Sequence, residues 1–182
     1  MSKHFTKNQE GIRFLRGALS LSQAAIVVRG RLARRVREEA EKQGLSIEEY
    51  LVELLSQGLD PRDRAREYIE AAKELLNQAK EELSKGDVRQ AAEKLWGATA
   101  LAIKAYAWLR EGRRLVSHGE LWEYTDKLGD ALGEWVYDSW NAGNSMHTCF
   151  YEGWCRRKHV EQALKRVERL VRKIAEIIEN PN

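Results

Sequence analysis

The sequence predicts an all-α protein in which a helical bundle follows a small N-terminal module. Of its 182 residues, 43% are apolar, 32% are charged and only two are proline, which is the composition of a folded helical chain rather than a disordered one. From residue 60 onward, apolar residues recur every three or four positions, with capping residues and glycines between the periodic segments. A single β-branched run and two short helical segments precede them. The predicted fold class is therefore a four- or five-helix up-and-down bundle preceded by a strand-helix-helix module.

The distribution of charge also divides the chain. Nine basic residues and one acidic residue give +8 up to residue 37, whereas 22 basic and 27 acidic residues give −5 over the rest. Five arginines fall within nine residues of the basic part: Arg29, Arg31, Arg34, Arg35 and Arg37. This block is a predicted phosphate-binding surface, and a solvated helix face beside neighbouring glutamates is an equally good interpretation. We divide the chain into a loose basic arm at residues 1–22, a module at 23–59 and the bundle at 60–180.

The N-terminal module is predicted from three local signals. Residues 24–28, AAIVV, are the only short β-branched run and predict a single strand. Apolar residues at four-residue spacing then predict a short helix that ends at Gly44. Ser46, followed three residues later by Glu49, has the pattern of a capping box and predicts the start of a second helix.

This stretch, AAIVVRGRLARRVREEAEKQGLSIEEYLVELL, resembles the ribbon-helix-helix family, whose chains pair their single strands into a ribbon that enters the DNA major groove. The resemblance implies a dimer with DNA contacts from alternate strand positions, here Gln23, Ala25 and Val27. Of these, only Gln23 can hydrogen-bond to a base edge. A dimerisation ribbon without a role in DNA binding is the alternative.

The first two helices of the bundle are predicted as an antiparallel pair. Asp60 as N-cap and Pro61 at the first helical position begin the first helix. Its predicted buried face consists of Tyr68, Ala72, Leu75, Leu76, Ala79 and Leu83. A tight turn at Gly86 leads to the second helix, which Gly112 ends.

Three more helices complete the predicted bundle. Ser117 and Glu120 cap the third helix, and Gly129 is predicted to separate it from a fourth. That fourth helix is expected to carry Leu132, Val136 and Trp140. The last helix has an unbroken apolar stripe: Val160, Leu164, Val167, Val171, Ile174 and Ile178.

Three blocks of the bundle carry a family resemblance: GDVRQAAEKLWGA, SHGELWEY and NAGNSMHTCFYEGW. In this order, on helices of this number, they resemble the HEPN (higher eukaryotes and prokaryotes nucleotide-binding) superfamily. Within it they are similar to the archaeal PaREP family of hyperthermophiles. The resemblance covers about residues 60–178, and it implies a bundle that dimerises and forms its functional site across two chains.

Many HEPN proteins are metal-independent ribonucleases in which an arginine precedes a histidine by a few residues. An imidazole can accept the proton of a ribose 2′-hydroxyl, while the arginine balances the charge that builds on the phosphate. The resemblance places the histidine at His147, and Asn141 stands where the arginine is expected. Because asparagine is neutral, we expect binding of nucleic acid or nucleotide without robust catalysis. A divergent ribonuclease that uses His147 is the alternative.

A second arginine-histidine pair has the same formal spacing. Arg113 precedes His118 by five positions but lies in the loop before the third bundle helix, where the superfamily does not keep its site. Such short patterns arise by chance in arginine-rich chains. Arg113 or Arg114 is nevertheless a source of a cation for His147 in a dimer. We therefore count Arg113, Arg114 and His118 among the predicted ligand-binding residues.

The stretch WNAGNSMHTCFYEGWC is rich in neutral polar and aromatic residues. On a helix, Asn144, His147, Tyr151 and Trp154 share one face, which predicts a nucleotide-sized surface with stacking and hydrogen-bonding groups. Aromatic packing in the core is an equally good interpretation.

Cys149 and Cys155 match no zinc pattern and are expected to be small core residues. Trp122 and Trp140 are expected to flank the cleft.

The sequence also limits compartment and partners. No apolar run approaches the length of a membrane span, and the N-terminus lacks the apolar block of a signal peptide, so we expect a cytoplasmic protein. We expect no cofactor, no metal and no membrane contact. The expected partners are a second copy of the chain and DNA or RNA at the N-terminal basic segment. Proteins of the HEPN superfamily often pair with a nucleotidyltransferase, so the resemblance also implies such an enzyme as a partner. An interaction scaffold is therefore the third interpretation.

Overall fold

The computed structural model describes residues 26–180, which form seven α-helices. In chain order they are α1 (Gly30–Lys42), α2 (Ile47–Leu55), α3 (Pro61–Lys85), α4 (Val88–Glu111), α5 (His118–Leu132), α6 (Trp135–Glu152) and α7 (Arg157–Glu179). Within these residues there is no strand, and residues 26–29 are neither helix nor strand. The rest of the predicted strand, Gln23 and the basic arm lie outside the described residues. A lone strand in a single chain lacks the partner that would satisfy its backbone groups.

Helices α1 and α2 lie where the two short helices of the N-terminal module are predicted. Gly44 follows α1 with a φ of +66°, a conformation that glycine adopts readily. Ser46 caps α2 by accepting a hydrogen bond of 3.1 Å from the backbone N–H of Glu49. The reciprocal half of the predicted capping box is absent because the carboxylate of Glu49 hydrogen-bonds instead to Lys104 of α4.

Helices α3 and α4 pack as the predicted antiparallel pair. Asp60 accepts hydrogen bonds from the backbone N–H groups of Arg62 (2.9 Å) and Asp63 (3.1 Å), and Gly86 ends α3 with a φ of +85°. All six residues of the predicted apolar face of α3 are buried. Helix α4 contacts α3, α5, α6 and α7, and its buried residues face several directions. It is therefore the central helix of the bundle.

One predicted boundary between α5 and α6 is wrong. Ser117 and Glu120 form both halves of the capping box at the start of α5. However, α5 continues through Gly129 to Leu132 and breaks at Gly133. Gly129 is a contact point rather than a helix end, because a Cβ atom there would lie 2.7 Å from the ring of Tyr137 on α6. Two helices can approach this closely only where one of them lacks a side chain.

Helix α7 closes the bundle against α3, α4 and α6. The predicted stripe is confirmed, since five of its six residues are buried and Leu164 is half-buried. Val136 and Trp140 of α6 are also fully buried, as predicted. No helix among the described residues has the combined length and apolarity of a membrane span.

Candidate functional site

A cleft of about 700 Å³ lies between the N-terminal module and the bundle. Its lining residues come from helices α1 to α6, from the loop between α1 and α2 and from the loop before α5. The residues that carry charge, an imidazole or an aromatic ring are Arg37, Glu41, Glu48, Glu49, Glu93, Lys94, Trp96, Lys104, His118, His147, Phe150 and Tyr151. The bundle forms the floor of the cleft, and α1 and α2 form one wall.

Three rings in this cleft are in mutual contact. The imidazole of His118 is stacked on the indole of Trp96 with ring centroids 4.7 Å apart and an interplanar angle of 5°. His147 contacts both, at 4.8 Å from Trp96 and 5.0 Å from His118. The ring of Tyr151, one turn along α6, meets His147 edge to face at 5.0 Å. The structure thus joins two predicted residues, His118 and His147, that are 29 positions apart in the sequence.

Each helix that supplies a ring has a local reason for its position. His118 is the first residue of α5, directly after the Ser117 cap. His147 lies on α6, which approaches α4 closely because Gly143 packs against Thr99. Trp96 is backed by the fully buried Trp140, whose ring lies 5.7 Å away. The rings are therefore held by packed helices rather than by mobile loops.

The environment of His147 favours its neutral form. Burial lowers the pKa of His147 below its ordinary value, and the nearby His118 lowers this pKa further. His147 is half-buried and His118 is exposed. Within residues 26–180, neither imidazole is hydrogen-bonded to the protein. Both rings therefore have ring nitrogens that can serve a ligand.

Charged residues in the cleft are largely paired across the module and the bundle. Lys94 is hydrogen-bonded to Glu48, and Lys104 to Glu49. Burial raises the pKa of Glu93, and the charge of Glu48 contributes to this rise. Arg37 has no ion pair within the described part of the chain. The cleft is thus a neutral to slightly acidic site with one cation at its rim.

The other predicted catalytic and ligand-binding residues lie elsewhere. Asn141 is exposed on α6 and does not line the cleft. It lies six positions before His147, so the two side chains project about 120° apart around the helix. Arg113 pairs with Glu120 at 3.3 Å and Arg114 with Glu53 at 2.7 Å, and neither lines the cleft. Neither Arg113 nor Arg114 is therefore brought to His147 within one chain.

The predicted aromatic face of α6 ends earlier than expected. Asn144 is half-buried and is not among the lining residues, whereas His147 and Tyr151 are. Helix α6 ends at Glu152, and Gly153 turns the chain with a φ of +69°. Trp154 consequently lies beyond the helix, near His159, with ring centroids 5.8 Å apart.

The same turn brings the two cysteines together. Cys149 and Cys155 form a disulfide with their Cα atoms 5.5 Å apart, rather than remaining separate core residues. On a continuous helix they would point in different directions, but the chain reverses at Gly153. Across residues 26–180, no group of three or more His, Cys, Asp or Glu side chains is arranged to hold a metal ion.

Two tryptophans support the site from behind. Trp122 meets the buried Trp140 edge to face at 5.1 Å, and neither residue lines the cleft itself. They therefore do not flank this cleft as predicted, since Trp140 lies behind Trp96 and Trp122 contacts Trp140. Trp96, Lys94, Lys104 and the cleft glutamates were not predicted as site residues from the sequence. The available signal was the block EKLWGA, in which two charged residues precede a tryptophan on the central helix.

The basic block lies on α1 and on the residue before it. All five arginines are exposed, and none has an ion pair within residues 26–180. Arg37 also lines the cleft. The basic surface and the cleft are therefore adjacent.

The comparison with protein families covers this site. The model of the archaeal PaREP1/PaREP8 family matches residues 67–171, which include Trp96, His118 and His147. No curated protein and no solved structure matches the chain. The matched region comprises more than half of the 182 residues. The chain therefore belongs to the archaeal PaREP1/PaREP8 family.

Proposed function

We propose that this protein is a homodimer with a HEPN-like bundle that binds nucleic acid or nucleotide in the cleft. The observation that carries the proposal is the contact of Trp96, His118 and His147 in a cleft of about 700 Å³. Nucleotide sites combine ring faces for stacking with a few hydrogen-bonding groups, and this volume is typical of ligand pockets.

The ring cluster determines how a base is held. One face of Trp96 is covered by His118, and Trp140 lies close by, so a base does not stack on the indole. Tyr151 remains 67% exposed and offers a free ring surface at the edge of the cleft. Its neighbour His147 and the carboxylate of Glu93 supply hydrogen-bonding groups. Stacking on Tyr151 with polar contacts deeper in the cleft is the arrangement that these positions favour.

The basic block is proposed to hold the phosphate backbone. Its arginines are exposed, and Arg37 links α1 to the cleft. Arginine binds phosphate oxygens through a planar set of donors, and each neutralised phosphate releases counterions.

Dimerisation is proposed to occur at the N-terminal module. In the single chain, this module exposes many large apolar side chains: Ile26, Val27, Val28, Leu32, Ile47, Leu51, Leu54 and Leu55. Ile26 is 92% exposed and Val27 is 73% exposed, as expected of an extended segment that pairs with the same segment of a second chain. A ribbon-helix-helix-like pairing of two chains would cover this surface.

The oligomeric state is tested by sedimentation equilibrium at micromolar concentration. We expect twice the chain mass of 21.0 kDa. Leu55→Glu should dissociate the dimer without unfolding it, because Leu55 is 78% exposed in the single chain. Val116→Glu is the matched control, since Val116 is exposed on the bundle. A monomeric wild-type protein would contradict the proposed dimer.

Nucleic-acid binding is tested by fluorescence anisotropy with labelled single-stranded RNA and duplex DNA over a range of salt concentrations. Replacing Arg31, Arg34 and Arg35 with alanine should flatten the dependence of log affinity on log salt for duplex DNA by about 3. The control replaces Lys165, Arg166 and Arg172 of α7, which removes the same charge elsewhere. An unchanged slope in the α1 variant would show that the block is a solvated face.

The contribution of the cleft is tested separately with Tyr151→Ser. We expect weaker binding of single-stranded RNA by about tenfold, which corresponds to the loss of one stacked base. Trp154→Ser is the control, since Trp154 is an exposed aromatic residue outside the cleft. If both variants bind like the wild type, bases do not enter the cleft.

A further inference from the structure

We propose that the cleft selects a guanine base, because the carboxylate of Glu93 on α4 can accept hydrogen bonds from the N1–H and 2-amino groups of that base. The inference rests on the proposed binding of nucleic acid or nucleotide in the cleft. It adds Glu93 as the residue that determines base specificity, and it identifies guanine-containing ligands as the class that binds.

Glu93 differs from the other carboxylates of the cleft. Four glutamates line it, and two of them, Glu48 and Glu49, are each hydrogen-bonded to a lysine. Glu41 is exposed on α1, whereas Glu93 is half-buried. In the described part of the chain, the side chain of Glu93 makes no hydrogen bond and no ion pair. A carboxylate that has lost part of its hydration gains most from a ligand that donates hydrogen bonds to it.

The packing of α4 against α6 determines the level at which Glu93 lies in the cleft. Gly143 of α6 packs against Thr99 of α4. Four positions further along α6, His147 contacts Trp96, which lies three positions earlier on α4. The two helices are therefore antiparallel. Glu93 precedes Trp96 by one turn on the same side of α4, so it lies level with the last turn of α6.

That last turn carries the ring on which a base is proposed to stack. Tyr151 lines the cleft, and its ring is exposed. A base on this ring can direct its hydrogen-bonding edge at a carboxylate that lies level with it on α4. His147, one turn before Tyr151, favours its neutral form, and its N–H can donate to the 6-oxo group of guanine.

The chemistry of a carboxylate favours guanine over the other bases. An ionised carboxylate accepts hydrogen bonds and donates none. Guanine presents two adjacent donors on its pairing edge, N1–H and the 2-amino group, which match the two carboxylate oxygens. Adenine and cytosine present an amino group beside an unprotonated ring nitrogen, and uracil presents one N–H between two carbonyl groups. Each of these three bases therefore places an acceptor against a carboxylate oxygen.

The distribution of charge in the cleft indicates a base rather than a phosphate at Glu93. A carboxylate repels phosphate oxygens, and Lys94 and Lys104 are already paired with glutamates. The exposed arginines lie on the α1 side, and Arg37 among them reaches the rim of the cleft. Phosphates are thus favoured at α1, and the base is favoured toward α4.

The experiment measures fluorescence anisotropy at pH 8 with labelled oligouridines that carry one central guanosine, inosine, adenosine or cytidine. This pH is more than three units above the ordinary carboxyl pKa of 4.5, so Glu93 is ionised although burial raises its pKa. We expect the guanosine oligonucleotide to bind about tenfold more tightly than the adenosine and cytidine oligonucleotides. The inosine oligonucleotide should fall between them, because inosine lacks the 2-amino group.

Two variants test the assignment to Glu93. Glu93→Gln should abolish the preference for guanosine, because glutamine has only one acceptor oxygen. It should leave the affinity for the adenosine oligonucleotide unchanged, which a loss of fold would not. Glu41→Gln is the matched control and should retain the preference, since Glu41 is an exposed carboxylate of the same cleft.

The outcomes separate this inference from the proposed function. Equal affinity for all four oligonucleotides, or a preference for guanosine that survives Glu93→Gln, would overturn the role of Glu93 and leave the binding proposal intact. Failure to bind any of the oligonucleotides would overturn both.

Competition with unlabelled GMP and AMP identifies the source of the base. GMP that competes as strongly as the unlabelled guanosine oligonucleotide would support a free guanine nucleotide as the ligand. GMP that competes only at much higher concentrations, but better than AMP, would support guanine within RNA. GMP that competes no better than AMP would contradict selection of guanine.

Discussion

The carboxylate of Glu49 on α2 is hydrogen-bonded to the ammonium group of Lys104 on α4, across 55 positions of sequence. The two side chains are only 11% and 7% exposed. This ion pair connects the N-terminal module to the central helix. Glu53 of α2 adds contacts with Tyr68 of α3 and with Arg114 of the loop before α5. It is a buried polar contact in the interface that forms the cleft.

Breaking this pair should strongly destabilise the protein. Lys104→Met leaves a buried carboxylate without its cation, and we expect the free energy of unfolding to fall by about 3 to 5 kcal/mol in urea titrations. The double variant Glu49→Leu with Lys104→Met should recover much of this loss, because no buried charge remains. Lys94→Met is the control and should cost less, since its partner Glu48 is 40% exposed. Additive single and double effects would contradict a coupled pair.

Gly143→Ala should destabilise the packing of α4 against α6. An added Cβ atom would lie 2.6 and 2.7 Å from side-chain carbons of Thr99, which is fully buried. Overpacking costs about 1 to 3 kcal/mol, and the higher helix propensity of alanine offsets about 1 kcal/mol of it. Thr99→Ala in the same chain should relieve the clash. Gly119→Ala is the control, because the nearest neighbouring atom is 3.8 Å away. The measurement is thermal unfolding, and an unchanged transition in Gly143→Ala would contradict the contact.

The stability of the protein should fall in mild acid because of His147. Its folded-state pKa lies below the ordinary value of 6.5, so the unfolded chain binds a proton more readily than the folded chain. The contribution of His147 to the free energy of unfolding is constant above pH 6.5. It is lost progressively as the pH falls toward the folded-state pKa of His147, with a slope of at most about 1.4 kcal/mol per pH unit. His147→Gln should flatten this part of the curve in urea titrations from pH 7.5 to 5. An unchanged curve in His147→Gln would contradict the assignment.

Reduction of the Cys149–Cys155 disulfide should lower stability by about 2 kcal/mol, since the loop that it closes is short. Thiol titration of the denatured, unreduced protein should find no free thiol. Cys155→Ser should match the reduced wild type and should be insensitive to reductant. Two free thiols in protein purified without reductant would contradict the disulfide.

Local signals predicted most of the helices, because caps and apolar spacing act within a few residues. Asp60, Ser117 and Gly86 all have the predicted roles. Gly129 misled the prediction because a glycine at a helix contact looks the same in sequence as a glycine at a helix end. The difference depends on Tyr137, which belongs to the next helix.

The candidate site was only partly predictable for the same reason. His118 and His147 were each identified from short motifs, but their contact depends on how α5 and α6 pack around Trp96. Trp96 itself looked like an ordinary core residue. Glu49 had the pattern of a helix cap, and only the distant Lys104 shows why its side chain turns away.

The position of the cleft between α4 and the N-terminal module means that its two sides differ in how often they open. Helix α4 is surrounded by four other helices, so its amide hydrogens should exchange with solvent only when the whole bundle unfolds. Helices α1 and α2 rest on a few polar contacts, and their amides should exchange through smaller local openings. A ligand in the cleft therefore contacts a rigid floor formed by α4 and a more mobile wall formed by α1 and α2. Protection that it adds should appear in α1 and α2 and leave α4 unchanged.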